Sequence, residues 1–188
     1  GLKAIDLVRE LECELFLDLK LHDIPNTVKG ACESLAHLGP DYLTVHASGG
    51  VDMMKAAVGQ LPDTKITAVT ALTSLTENDL QRWGNLSIDS FTSGLASSAF
   101  ESGARAIVCS GHEVSNVKER VGSDMQTVVP GIRPNTSTMD DQKRTVTLTE
   151  AFTLGADVVV IGRPITHCPS PSEAVQAFVD EYWRSCAK

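Results

Sequence analysis

Residues 15–27 of the chain read LFLDLKLHDIPNT, an apolar stretch with charged side chains near its end. Alternation along a β-strand would give it two faces, with Leu15, Leu17 and Leu19 on one and Phe16, Asp18 and Lys20 on the other. A carboxylate and an ammonium group would then share a face. Because burying either charge alone costs several kcal/mol, the pair indicates a structural ion pair or a reactive site with shifted pKa values.

A loop and a helix are predicted after this strand. Asp23 follows three residues after Lys20, and Pro25 has the fixed φ that is favoured at a helix start, with Asn26 or Thr27 near the cap. Apolar residues at helical spacing then predict a helix over residues 27–38.

Further apolar runs predict a repeating α/β architecture. Strands are expected at residues 15–20, 42–46, 66–72, 106–110, 127–129 and 158–161. Amphipathic segments lie between them, including a helix opened by Thr76 and a final helix over residues 170–186 that turns Ala174, Val175, Phe178, Val179 and Tyr182 inward. We expect Met53 and Met54 to pack in the core and Trp83 and Trp183 to anchor helices. Periodicity alone does not separate an open doubly wound sheet from a barrel.

Length and composition limit the class of protein. The 188 residues fit one domain, 1–188, and a net charge of −8 argues against non-specific nucleic-acid binding. Neither a membrane-spanning apolar run nor a signal-peptide pattern is found, which predicts a cytoplasmic protein. The five cysteines have no CxxC spacing, so we expect reduced thiols rather than disulfides or zinc ligands.

Several motifs share one order along the chain. They are DLKLHDIPNT at 18–27, VHASGG at 45–50, ALTS at 71–74, VPGIRP at 129–134, DQ at 141–142 and VIGRP at 160–164. In this set the chain resembles the bacterial orotidine 5'-phosphate decarboxylase family. The resemblance implies a (β/α)8 TIM barrel of the ribulose-phosphate-binding type, decarboxylation of orotidine 5'-phosphate (OMP) to UMP, and no metal or other cofactor.

Such a barrel needs eight strands, and the sequence predicts about six. The chain opens on an apolar helical stripe formed by Leu2, Ala4, Ile5, Val8 and Leu11. In the family two strands precede this helix, and they carry an aspartate that contacts the nucleoside and a lysine of the catalytic charge network. We therefore expect a family member without its first two strands.

The resemblance also implies roles for the charged residues. Lys20 would protonate the C6 carbanion that decarboxylation leaves, and Asp18 would hold Lys20 charged and oriented. Asp23, with Ile24 and Thr27, would reach into the site of a neighbouring subunit, so that a homodimer shares its active sites.

Phosphate recognition is expected after the last strands of the barrel. Gly162 and Arg163 follow the final strand, and Arg133 follows the preceding one. The resemblance implies that Gln142, in the polar segment 135–142, closes over phosphate and pyrimidine. Thr73 and Ser74 would bind the polar edge of the pyrimidine, although they could instead cap the next helix.

Three alternatives remain open from the sequence. His22 and His46 beside two carboxylates are metal-ligand types, although His22 is better explained by a local hydrogen bond. A metal-dependent sugar-phosphate lyase, such as 3-keto-L-gulonate 6-phosphate decarboxylase, shares the Asp-x-Lys-x-x-Asp pattern. The chain could also be an inactive fragment that binds nucleotide phosphates.

Overall fold

The computed structural model describes residues 1–84, 86–134 and 144–186. The α-helices and β-strands follow one another in the order α1 (Leu2–Glu10), β1 (Phe16–Leu21), α2 (Pro25–Leu35), β2 (Tyr42–His46), α3 (Val51–Gln60), β3 (Lys65–Val69), α4 (Glu77–Gly84), α5 (Ile88–Ser102), β4 (Ala106–Val108), α6 (Val114–Val121), β5 (Gln126–Val129), α7 (Leu148–Thr153), β6 (Val158–Val159), α8 (Arg163–Thr166) and α9 (Pro171–Cys186). Each strand predicted from an apolar run is present, with ends that differ by at most three residues.

The strand order distinguishes between the two possible α/β architectures. The described strands form one sheet in the order β1-β2-β3-β4-β5-β6, which is their order along the chain. The pairs β1–β2, β2–β3 and β5–β6 are parallel. A doubly wound sheet reverses its order at a switch point, whereas a (β/α) barrel adds each strand beside the previous one. The predicted TIM-barrel type is therefore confirmed, with six strands in the described residues.

Two compact units divide the chain by their internal contacts. One comprises Gly1–Thr70 and Ser93–Ile107, and the other comprises Ala71–Thr92 and Val108–Lys188. A single domain over residues 1–188 stays a prediction.

The core of the first unit is built from the predicted apolar runs. Leu43 and Val45 of β2 are fully buried, and so are Met53 and Met54 of α3, which confirms their predicted packing role. Cys32 of α2 is also fully buried, and this burial raises the pKa of its thiol to about 11.

The second unit combines an apolar core with a polar contact between neighbouring segments. Val128 and Val129 of β5 are fully buried. The Asp157 carboxylate before β6 accepts hydrogen bonds from the Lys118 ammonium at 2.6 Å and the Thr127 backbone N–H at 2.6 Å. Burial acts to raise the pKa of Asp157, but these donors and the Lys118 charge outweigh it, so the pKa is lowered overall.

The start of α2 differs in detail from the prediction. Pro25 begins the helix as expected, but the N-cap is Ile24, and Asn26 and Thr27 lie inside the first turn. The Pro25 ring fixes the first helical φ, which places the cap at Ile24, two residues before Asn26 and three before Thr27.

The predicted burial is wrong for several apolar side chains on helix surfaces. Phe178 of α9 is buried, but Val175 and Val179 are 44% and 41% exposed. Trp83 and Trp183, expected to anchor helices, are 66% and 65% exposed. An apolar stripe shows which side of a helix can be buried, whereas the extent of burial depends on the elements that pack against it. Within the described ranges, no helix is both long and apolar enough to cross a membrane.

Candidate functional site

The end of β1 departs from regular strand geometry where the sequence placed its charges. Leu17 pairs with Leu43 of β2, but the next register pair is Leu21 with Val45. A step of four residues along β1 therefore corresponds to a step of only two residues along β2. Such a bulge re-aims side chains. It explains why Leu19, predicted to share a face with Leu15 and Leu17, is 49% exposed although those two are buried.

Lys20 lies inside this irregular segment with a left-handed backbone, at φ +51°. A side chain with a Cβ pays roughly 1–2 kcal/mol for that conformation, because the Cβ approaches the following carbonyl oxygen. The conformation persists only where surrounding contacts stabilise it, and such residues concentrate at functional sites.

Thr44 of β2 supplies contacts to both charged residues of the segment. Its hydroxyl accepts a hydrogen bond from the Lys20 backbone N–H at 2.9 Å. The same hydroxyl lies 3.0 Å from Asp18 Oδ1, to which it donates. Lys20 Nζ then donates to Asp18 Oδ2 at 2.6 Å. Sequence reasoning missed Thr44, because its connection to β1 is visible only once the two strands are paired.

The solvent exposure of the Asp18–Lys20 pair indicates whether the pair serves only to stabilise the fold. The two side chains are 52% and 44% exposed, respectively. Exposed ion pairs contribute about 0–1 kcal/mol to stability, which does not exceed the cost of the left-handed backbone at Lys20. A purely structural ion pair is therefore a poor explanation of this arrangement.

Two histidines lie near the charged pair. The rings of His22 and His46 are 5.1 Å apart between centroids. His22 Nε2 lies 3.4 Å from the hydroxyl of Ser48, 26 residues further along the chain, and the local hydrogen bond expected for His22 stays a prediction. Burial, followed by the charges of His22 and Lys20, lowers the pKa of His46 against the opposing effect of Asp18. His46 therefore favours its neutral form beside the ammonium group.

Asp23, Ile24 and Thr27 lie together on the surface at the start of α2. The Asp23 carboxylate accepts a hydrogen bond from the Ile24 backbone N–H at 2.7 Å, and Ile24 is 67% exposed. Thr27 is exposed as well. The structure therefore presents to solvent the three residues for which a role in a neighbouring subunit was predicted.

In the second unit, Thr73 and Ser74 lie in a turn after β3. The cap of α4 is formed instead by Thr76, whose N–H and hydroxyl donate to Asp79 Oδ2 at 2.9 and 2.6 Å. Because Thr76 makes these bonds, capping does not explain Thr73 and Ser74. Their predicted binding role stays a prediction.

Arg133 lies directly after Ile132, whose backbone pairs with Val146 as an isolated parallel bridge. Arg133 Nη1 donates to the Ile132 carbonyl at 2.9 Å. Arg133 Nη2 is buried and has no hydrogen-bond partner among the described residues. A buried guanidinium nitrogen without an acceptor is costly, and an anion is the partner that would remove that cost. Gln142 lies outside the described residues.

Gly162 and Arg163 lie where β6 gives way to α8. Gly162 is the N-cap of this short helix, with φ −100° and ψ −102°. Apart from Gly162 and its two chain neighbours, no described residue has a heavy atom within 4 Å of a Cβ built on Gly162, so space remains open above the backbone. Arg163 is the first residue of the helix, and its side chain is half-buried.

Arg144 is a further buried cation that sequence reasoning missed. Its guanidinium forms an ion pair with Glu113 through Nη1, and its Nη2 donates to the carbonyls of Ala71 at 3.2 Å and Leu72 at 2.8 Å. Burial lowers the pKa of Arg144, although nearby Cys109, Asp89 and Glu77 oppose that shift. These bonds hold the backbone immediately before Thr73 and Ser74.

Within residues 1–84, 86–134 and 144–186, no group of three or more His, Cys, Asp or Glu side chains is arranged to hold a metal ion.

Comparison with known sequences identifies relatives along the whole chain. A sequence profile described as "Orotidine 5'-phosphate decarboxylase / HUMPS family" matches residues 1–178. The chain is 49% identical over 189 residues to orotidine 5'-phosphate decarboxylase of Thermobifida fusca, with 100% of this chain and 81% of that protein covered. It is 44% identical over 187 residues to the enzyme of that name from Streptococcus mutans, with 97% and 80% covered.

The fold is similar to that of two solved structures. A crystal structure of orotidine 5'-phosphate decarboxylase from Lactobacillus acidophilus superposes with a TM-score of 0.82 at 36% identity, covering 97% of this chain and 81% of that one. A protein of unassigned function from Geobacillus kaustophilus gives a TM-score of 0.81 at 35% identity, covering 97% and 82%.

Proposed function

The chain belongs to the orotidine 5'-phosphate decarboxylase / HUMPS family and is a decarboxylase of pyrimidine biosynthesis, and within that activity we propose that Lys20 is the proton donor. The substrate is OMP and the products are UMP and carbon dioxide. The observation that supports this proposal most is the 2.6 Å contact between Lys20 Nζ and Asp18 Oδ2, made from a strained backbone at the end of a strand.

The chemistry explains why a cation is needed at this position. The bond between C6 of the pyrimidine and its carboxylate carbon breaks, the electron pair stays on C6, and carbon dioxide leaves. A fixed ammonium group stabilises that developing negative charge, and its N–H then protonates C6. Neutral Lys20 regains a proton from water before the next turnover.

Asp18 orients this lysine. Its carboxylate accepts a hydrogen bond from Lys20 Nζ at 2.6 Å. It also restricts the Lys20 side chain to a direction set by β1, which reduces the loss of conformational freedom when substrate binds.

The phosphate of the nucleotide is bound by the two arginines that follow β5 and β6. Arg133 Nη2 is buried and has no hydrogen-bond acceptor among the described residues. A phosphate oxygen accepts the hydrogen bond that this nitrogen can donate. Arg163 begins α8 beside Gly162, where the backbone is open to a close approach. Gln142 contributes from the polar segment between them, and Thr73 and Ser74 bind the polar edge of the pyrimidine.

A second copy of the chain completes each site. Asp23, Ile24 and Thr27 are exposed at the start of α2, where a second copy of the chain can reach them. We infer that these residues contact the nucleotide bound to the neighbouring subunit, so that the active form is a homodimer. We also propose that this homodimer acts in the cytoplasm.

A substrate comparison tests the activity. Purified protein is incubated with EDTA, without EDTA or with added Mg²⁺ and is given either OMP or 3-keto-L-gulonate 6-phosphate, and release of carbon dioxide is measured. We expect OMP to be decarboxylated at the same rate with and without EDTA. Turnover of the sugar phosphate alone, dependent on added Mg²⁺, would assign the chain to the metal-dependent lyases instead.

A further inference from the structure

We propose that the Thr44 hydroxyl is the positioning group that sets the geometry of the Asp18–Lys20 pair. This inference rests on the proposed role of Lys20 and adds to it a residue on a different strand. Thr44 is a positioning residue, since it acts through the two charged residues.

The pairing of β1 with β2 gives Thr44 a special position opposite the irregular part of β1. Leu17 pairs with Leu43 and Leu21 with Val45, so the three residues of β1 between these pairs have Thr44 alone as their counterpart on β2. Thr44 is 1% exposed, which keeps water from competing for its hydrogen bonds. A bulge with a single opposing side chain depends on that side chain for its shape.

The Thr44 hydroxyl accepts a hydrogen bond from Lys20 and donates one to Asp18. It accepts from the Lys20 N–H at 2.9 Å, which fixes the backbone of the strained residue, and donates towards Asp18 Oδ1 at 3.0 Å, which fixes one carboxylate oxygen. The other oxygen, Oδ2, then receives the Lys20 ammonium at 2.6 Å. Backbone and side chain of Lys20 are thus both oriented through one hydroxyl group.

The chain provides a matched control. Thr67 of β3 is the register partner of Thr44, is fully buried, and donates its hydroxyl hydrogen bond to the Lys65 carbonyl at 2.9 Å. Thr44→Val and Thr67→Val therefore make the same chemical change at adjacent positions of the sheet, while only Thr44 contacts Asp18 and Lys20. Thr44→Ser keeps the hydroxyl and removes the methyl group.

The test combines steady-state kinetics on OMP with crystal structures of the variants. We expect Thr44→Val to lower kcat about 10- to 100-fold with little change in KM, because a small misplacement of a reacting group costs that much. Thr44→Ser and Thr67→Val should stay near wild type. In the Thr44→Val structure, Lys20 should leave its left-handed backbone and Nζ should separate from Asp18. If Thr44→Val does not fold, Thr44→Ala is measured in the same way.

The outcomes separate the two proposals. An unchanged kcat together with a retained positive φ at Lys20 in Thr44→Val would overturn the positioning role, and so would equal losses in Thr44→Val and Thr67→Val. If the wild-type protein does not turn over OMP, the proposed function fails, and the crystal structures still decide whether Thr44 holds Lys20 in place.

Discussion

Glu113 and Arg144 form an ion pair that is largely removed from solvent, with side chains 4% and 14% exposed. The second oxygen of Glu113 accepts from the Ser110 backbone N–H at 2.9 Å, and Arg144 also donates to the Ala71 and Leu72 carbonyls. The pair therefore joins α6 to the segment after β3. Removing one partner would leave a buried charge without compensation.

We accordingly expect Glu113→Ala to destabilise the protein by about 3–5 kcal/mol, the usual cost of breaking a buried pair from one side. Urea unfolding measures this free energy. The control is Glu119→Ala, an exposed carboxylate of α6, the helix that follows Glu113, and it should change stability by less than about 0.5 kcal/mol. Equal effects of the two substitutions would show that the buried pair contributes nothing specific.

This pair illustrates what the sequence does not reveal. Glu113 is 31 residues from Arg144, and the carbonyls bound by Arg144 lie more than 70 residues away along the chain. No local pattern marks such a contact, because carbonyl groups occur at every residue. The apolar runs, by contrast, located all six described strands, since each strand must bury its side chains wherever the others lie.

The end of β1 shows the same limit at the candidate site. Alternation placed Leu15, Leu17 and Leu19 on one face, and it failed at Leu19, which is exposed whereas the other two are buried. The failure has a physical cause, because the bulge depends on pairing with β2, and alternation assumes a regular strand. The charged residues were found from their types and spacing, whereas their link through Thr44 required the structure.

The phosphate assignment makes a prediction about Arg163. Arg163→Ala should weaken binding of UMP by about 1.5–3 kcal/mol, the value of a charged hydrogen bond, and should leave binding of uridine nearly unchanged. Calorimetric titration of both ligands measures the difference. Arg184→Ala, an exposed arginine of α9, serves as the control for loss of charge. Equal losses for UMP and uridine would remove Arg163 from the phosphate site.

Shared active sites predict complementation between two inactive variants. Lys20→Ala and Asp23→Ala should each abolish most activity alone, because each damages both sites of a homodimer. After subunit exchange in a 1:1 mixture, half of the dimers combine the two variants, and each of these has one intact site, which restores about a quarter of wild-type activity. If mass spectrometry verifies subunit exchange and activity still does not recover, each subunit forms its site alone.

Cysteine reactivity follows from burial. Burial raises the pKa of Cys32 to about 11 and that of Cys109 to about 12, whereas Cys13 is exposed. Since the thiolate is the reactive form, iodoacetamide at about pH 8 should modify Cys13 well before the two buried thiols. Peptide mass spectrometry follows each site, and in Cys13→Ser the two buried thiols should stay as slow as in wild type. Rapid labelling of Cys32 or Cys109 in the folded protein would contradict their burial.

The central claim is that Lys20 donates the proton to C6, and the turnover number of Lys20→Ala tests it most directly. Loss of a general acid costs about 10²–10⁴-fold, and loss of its charge at the reacting carbon adds to that, so we predict a fall in kcat of at least about 10³-fold. UMP should still bind, and Lys29→Ala, an exposed lysine of α2, should be as active as wild type. A Lys20→Ala enzyme with kcat close to that of Lys29→Ala would contradict the account.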